Sequence, residues 1–212
     1  MTTLVVVSGL PASGKTTLAG ALARELDVPH FDKDAFLEAL LNQAPVSGPA
    51  ERNQLSRRAD ADFQQHALQL SFVVLSSWWR HPESARESGT PVAWLRAPGR
   101  NVVEVHCQCP ASVAVQRFCA RKRHPGHFDA TRSPEELLAQ FNEAEALGPL
   151  LPGQAIICNT ACPTTNETLL ALVRQVRHRL SSTAVYPADR RLTPPQKTDA
   201  GSQRPAGYTV LS

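Results

Sequence analysis

Four things are scarce or missing in this sequence: a surplus of one charge, a secretory leader, an apolar run long enough for a membrane, and an even set of cysteines. Its 212 residues hold 22 lysines and arginines against 19 aspartates and glutamates, a formal charge of +3. No broad field therefore argues for a nucleic acid or a membrane surface, and any basic function has to be local. The amino terminus is apolar but carries no basic n-region, and Gly9 and Pro11 interrupt it far short of the ~20 residues a membrane span requires. Five cysteines in a chain without a secretory signal point to a reducing compartment and free thiols, so cytoplasm is the expectation. Cys107 and Cys109 form a CxC, yet no second Cys or His pair stands at zinc-ligand spacing. Both read as small buried apolar residues.

What is present is ordinary globular composition, 42% apolar and 19% charged, at a length that fits one domain. TLVVVS (3–8) is a β-branched apolar run without alternation, the pattern of a strand buried on both faces of a parallel sheet. Leu18, Leu22 and Leu26 then mark a helix, VPHF (28–31) a short strand, and a helix of about ten residues begins near Asp34. After the turn residues APVSGP (44–49), a long amphipathic helix is expected through Leu55, Ala59, Phe63, Ala67 and Leu70. Three further strands follow at SFVVLSS (71–77), VVEVHC (102–107) and AIICNT (155–160). Between the last two, one helix opens at Pro110 and a second at Pro134, where Ser133 and Glu136 form a capping box. Thr164 and Glu167 read as another box before a final helix. The alternation predicts an α/β fold: a five-stranded parallel sheet in a three-layer sandwich over residues 1–180. Residues 181–212, with Pro187, Pro194, Pro195 and Pro205 among polar neighbours, read as a disordered tail.

The stretch GLPASGKTT supplies Gly9, Gly14, Lys15 and Thr16 in the GxxxxGK[ST] spacing, with a buried strand before it and an amphipathic helix after it, as a phosphate-binding loop requires. The backbone N–H groups of Gly9, Ala12, Ser13, Gly14, Lys15, Thr16 and Thr17 are expected to curl around a nucleotide phosphate. Lys15 then bridges the terminal phosphates, and the Thr16 hydroxyl holds Mg²⁺. ATP and Mg²⁺ are thus the expected ligands. An NKxD-type guanine selector is absent, and the third strand ends in Ser76 and Ser77 where a metal-holding aspartate is usual. The acid comes instead from HFDKDAF: Asp32 toward the metal and Asp34 as base for an attacking hydroxyl, unless Asp34 merely caps its helix. In RFCARKRHPGHFD, Arg117 and Arg121 fall four apart on one expected helix face. Arg123, His124 and His127 continue into a Pro-Gly loop, together a mobile lid over about 117–132.

With its GLPASGKTT loop, DKD acid pair and R-x3-R-x-RHPGH lid, the chain resembles small P-loop kinases and AAA-type ATPase-domain proteins. These group with zeta toxin, chloramphenicol phosphotransferase, gluconate and shikimate kinases, and the polynucleotide kinase domain. The resemblance implies that Asp34 orients or deprotonates an acceptor hydroxyl and that Arg117 and Arg121 contact ATP phosphates. With no third-strand aspartate, Asp32 is left as the metal-shell ligand.

Acceptor specificity is expected after the third strand, where Trp78, Trp79, Arg80, His81, Arg86 and Trp94 offer aromatic walls and cations, with Arg80 and Trp78 as candidate contacts. The leading expectation is a Mg-ATP-dependent kinase for a hydroxyl of a small molecule. A 5′-hydroxyl nucleic-acid kinase is the second, which the small net charge argues against. A non-kinase ATP-binding regulatory or resistance protein with slow hydrolysis is the third.

Overall fold

The computed structural model describes residues 1–43, 46–129 and 132–184. The elements run β1 (Thr2–Gly9), α1 (Lys15–Leu26), β2 (His30–Asp32), α2 (Lys33–Leu41), α3 (Pro49–Leu68), β3 (Phe72–Ser76), β4 (Arg100–Gln108), α4 (Ala111–Ala120), α5 (Pro134–Leu147), β5 (Ile156–Asn159) and α6 (Asn166–Ala184). Among the described residues all five strands are parallel, in the order β2-β3-β1-β4-β5. The five-stranded α/β architecture read from the alternation of strands and helices is the one observed.

Central β1 shows why its apolar run does not alternate. Val5 and Val7 face one core with Leu18 and Leu22 of α1 and Leu172, Val173 and Val176 of α6, while Leu4 and Val6 face another with Phe63 and Ala67 of α3. Both faces are covered, which gives three layers. A third cluster under the phosphate loop joins Leu10 and Cys109 to α4 and α5 through Phe118, Leu137 and Phe141. Cys107 and Cys109 are both buried in these apolar clusters, Cys107 in the first and Cys109 in the third.

The parallel register brings every strand's carboxyl end to one edge. Asp32 pairs across to Ser76, Ser76 to Val7, and Gly9 to Cys107, so the acid of β2 stands level with the strand residues leading into the loop. The α5 capping box forms as expected from Ser133 and Glu136. The other cap lies one residue later than the sequence suggested: the Thr165 hydroxyl, not Thr164, accepts the Thr168 N–H at 3.2 Å. The final helix continues to Ala184, and the remainder of the expected tail, 185–212, lies outside the described residues.

One charged residue inside β4 fixes a connection. Glu104, 1% exposed, accepts the N–H groups of Leu150 at 2.9 Å and Leu151 at 2.6 Å and the Ser8 hydroxyl. A buried carboxylate is tolerated because its lone pairs are filled. Here it ties the α5–β5 connection to the sheet.

Candidate active site

The loop between β1 and α1 takes its shape from backbone conformations that side chains resist. Gly9 sits at φ 127°, where an added Cβ would lie 2.6 Å from the Cys107 carbonyl oxygen, and Gly14 sits at φ 95°. Only glycine meets both demands at residue 9. Gly14 is the N-cap of α1 and offers no side-chain acceptor, so the N–H groups opening α1 have neither a cap nor an intrahelical partner. Such a row of donors at the positive end of a helix fits an anionic phosphate.

Lys15 crosses the loop, and its Nζ donates to the Leu10 carbonyl at 2.5 Å. The side chain is buried, and burial lowers its pKa to about 8 against the opposing pull of Asp34 and Asp32. The Thr16 hydroxyl donates to the Asp32 carboxylate at 2.8 Å. A hydroxyl and a carboxylate this close are hard oxygen donors of the kind Mg²⁺ takes beside phosphate oxygens. The residues present therefore fit a Mg-nucleotide.

The cap of α2 falls on the other aspartate from the one the sequence offered for it. Asp32, not Asp34, is the N-cap of α2: it has extended backbone, and its side chain accepts the Asp34 N–H at 3.2 Å. Asp34 falls in the first helical turn, which leaves its half-exposed carboxylate free of capping, and the Arg123 guanidinium donates to it. Partial burial would raise its pKa, but Arg123, His127, Lys33 and Lys15 overrule that and hold it below the ordinary carboxylate value.

The arginines also sort differently. α4 stops at Ala120 with Arg121 as its C-cap, its N–H bonded to the Arg117 carbonyl at 3.2 Å, and the chain beyond turns extended (ψ 145° at Arg121), so the two arginines take different partners. Arg117 donates to the carbonyls of Thr160 at 2.7 Å and Ala161 at 2.6 Å, holding the loop after β5. With its donors committed there, it does not stand over the phosphate loop with Arg121. Arg121 lies over the Phe118 ring and 3.9 Å from Asp129, within the electrostatic reach of Asp32, Asp34 and Lys15. Arg123, expected only as part of the lid, bridges Asp34 and, at 2.9 Å, Asp129. The loop tip is docked on α2: His127 Nε2 meets Glu38 at 2.9 Å, and Gly126 sits where a Cβ would come within 2.9 Å of Leu41. His124 caps the short turn Pro125–His127 by accepting the Gly126 N–H.

Beyond β3, one tryptophan is core and a second packs against it half-buried. Trp79 is buried and donates its indole N–H to Val7 O at 3.0 Å, and Trp94 packs edge-on to Phe63. Trp78 lines a cavity of about 320 Å³ with Gly9, His81 and His106; Asp34 and Lys15 are not among its walls. Arg80 donates to the Glu87 carbonyl and lies within reach of Asp60 on α3. The two serines that stand where an aspartate is usual both have partners. Ser76 meets His30 Nε2 at 2.9 Å, and Ser77 meets Thr90 at 2.6 Å, which in turn donates to Asp60 at 2.8 Å.

A family model described as an AAA domain matches residues 4–146. Among solved structures, the chain is similar to a candidate kinase from Chloroflexus aurantiacus, with 25% identity, 85% of this chain and 97% of that chain covered, and a TM-score of 0.65. It is similar in fold to shikimate kinase from Bacteroides thetaiotaomicron (18% identity, 85% and 98% covered, TM-score 0.53). It is likewise similar in fold to a gluconokinase from Sinorhizobium meliloti (20% identity, 87% and 94% covered, TM-score 0.50). Comparison with curated proteins gives no match. No helix among the described residues is long and apolar enough to cross a membrane.

Proposed function

Since the chain belongs to the AAA domain family, we propose that it is a Mg-ATP-dependent phosphotransferase that phosphorylates a hydroxyl of a small molecule. The observation that carries this reading is the position of Asp34: an ionised carboxylate in the first turn of α2, two residues after the Asp32 that pairs with Thr16, gripped by a lid arginine. A cradle for phosphate alone suits any nucleotide-binding protein; a carboxylate beside it, not consumed by capping, suits proton acceptance from an attacking hydroxyl.

The loop N–H groups and Lys15 hold the donor phosphates, and Thr16 with Asp32 would hold Mg²⁺, which supplies charge neutralisation between phosphate oxygens. Arg121, beside Lys15 and Asp34, stabilises charge on the transferring group. Asp34 accepts the hydroxyl proton once Arg123 yields its grip, so lid movement and base release are one event. Five free thiols, three of them buried, suit a reducing cytoplasm.

Incubation with γ-labelled ATP and separate pools of small hydroxyl compounds and 5′-hydroxyl oligonucleotides tests the reading. Label is expected in the small-molecule pool, and Asp34→Asn is expected to lower transfer about 10²- to 10⁴-fold while nucleotide affinity stays within about threefold. Label in the oligonucleotides would move the assignment to a nucleic-acid kinase. No label in either pool, with ATP hydrolysis indifferent to Asp34→Asn, would refute phosphotransfer and favour a regulatory nucleotide-binding protein.

A further inference from the structure

The polar side of α3 repeats every four residues at Arg52, Ser56 and Asp60, a spacing that stacks three side chains on one helix face. That stripe points at α2 and the lid. Lys33 Nζ donates to the Ser56 hydroxyl at 2.5 Å and lies 3.7 Å from Asp60, which also accepts from Thr90. Two of the three stripe residues are thereby satisfied within the protein.

Arg52 is not. Its one side-chain hydrogen bond among the described residues is a 3.3 Å contact with neighbouring Asn53, its Nε is buried without a partner, and no carboxylate comes within ion-pair distance. The nearest carboxylates by electrostatic effect, Asp34 and Asp129, are both already bonded to Arg123. Arg52, Arg121 and Arg123 thus share two carboxylates among three guanidinium groups. A half-buried guanidinium held next to another cation is costly unless an anion completes it. Its planar fork of donors matches a carboxylate or a phosphate ester.

Arg52 sits on α3 one turn before Ser56, which holds Lys33 at the start of α2, and its electrostatic neighbours are Asp34, Arg123, Asp129 and Asp60. Those of Lys15 in the phosphate loop are Cys107, Asp34, Asp32 and Arg121, so Asp34 is common to both sets and Arg52 does not figure at the loop lysine. A molecule with its hydroxyl at Asp34 and its body over α3 extends toward Arg52. Resting on the phosphotransfer reading, we propose that Arg52 anchors an anionic group, carboxylate or phosphate ester, carried by the acceptor molecule.

The test separates this from phosphotransfer by measuring binding alone. Protein saturated with Mg²⁺ and a non-hydrolysable ATP analogue, so that the phosphate loop is filled, is titrated with two matched sets: glycerol, glycerate and glycerol 3-phosphate, and ribitol, ribonate and ribitol 5-phosphate. In at least one set an anionic member is expected to bind tenfold or more tightly than its neutral polyol, and which anion does so distinguishes carboxylate from phosphate. Arg52→Gln should erase that advantage with analogue affinity within threefold, and Arg52→Lys, which keeps the charge and loses the fork, should retain part of it. Anions binding no better than polyols, whether both bind or neither does, overturn the proposal, as does an advantage that survives Arg52→Gln. An Arg52-dependent preference without any labelled product would leave the anion site standing and remove the kinase reading; labelled neutral acceptors with no such preference would do the reverse.

Discussion

Raising the pH should weaken nucleotide binding, and the size of the loss follows from Lys15. Its ammonium is held at a pKa of about 8 by burial, against an ordinary value of 10.5. Only the charged form attracts phosphate, and a bound phosphate restores the higher pKa. About nine-tenths of Lys15 is charged near pH 7 and about one-tenth near pH 9, so affinity for a Mg-ATP analogue should fall about tenfold across that interval. Binding near pH 8 should take up about half a proton, read as a difference in calorimetric heat between buffers of unlike ionisation enthalpy. The free protein responds with the opposite sign. Between pH 8 and 10.5 the unfolded chain keeps a proton that folded Lys15 has released, so this group's contribution to stability rises with pH in that window. Affinity that stays flat from pH 7 to 9, together with no proton uptake at pH 8, would refute the assignment of a depressed Lys15 facing the phosphate.

Gly9→Ala places a Cβ 2.6 Å from the Cys107 carbonyl at φ 127°. Strain of about 2–3 kcal/mol should lower the melting temperature by about 4–12 °C in a domain of this size, and a change under about 2 °C would contradict the loop geometry. Arg123→Gln removes the strongest of the cations that depress the Asp34 pKa, so that burial is opposed only by His127, Lys33 and Lys15 and the pKa rises. The acid limb of a pH–kcat/KM profile should then move to higher pH, and an unmoved limb would show that Asp34 is not the titrating base.

The donor side was legible because its chemistry is written in adjacent residues. The spacing Gly9…Gly14-Lys15-Thr16 dictates a backbone path, and the apolar runs around it dictate a buried strand and a helix. The lid was legible only as a basic run. Which arginine reaches the acid depends on where α4 stops: the extended chain after Arg121 brings Arg123 to Asp34, while Arg117 within the helix bonds the loop after β5. A similar sensitivity decided which aspartate caps α2, since either can and only the start of the helix settles that it is Asp32, which leaves the Asp34 carboxylate free of capping. The tryptophans divided for another reason. Polar-tipped aromatics after a strand suggest a pocket wall; Trp78, the candidate contact, does line a cavity, whereas the Trp79 N–H finds a carbonyl in the sheet and its ring is buried in the core. Arg52 carried no local mark, because its helix face acquires meaning only when α2 and the lid pack against it.

The internal partners of these groups set what each ligand must displace. Phosphate at Lys15 competes with the Leu10 carbonyl, a neutral acceptor, and an anion outbids it through charge. A hydroxyl at Asp34 competes with Arg123, a charged donor, and no neutral hydroxyl displaces a guanidinium by hydrogen bonding alone. On the proposed phosphotransfer reading, Arg123 has to be drawn off by something more negative than the acceptor hydroxyl, and phosphates bound at the neighbouring loop would supply that charge. Nucleotide binding is then expected to precede productive docking of the hydroxyl. An anion at Arg52 faces no internal competitor beyond Asn53 and adds its own pull on Arg123, so donor and acceptor both favour release of the base.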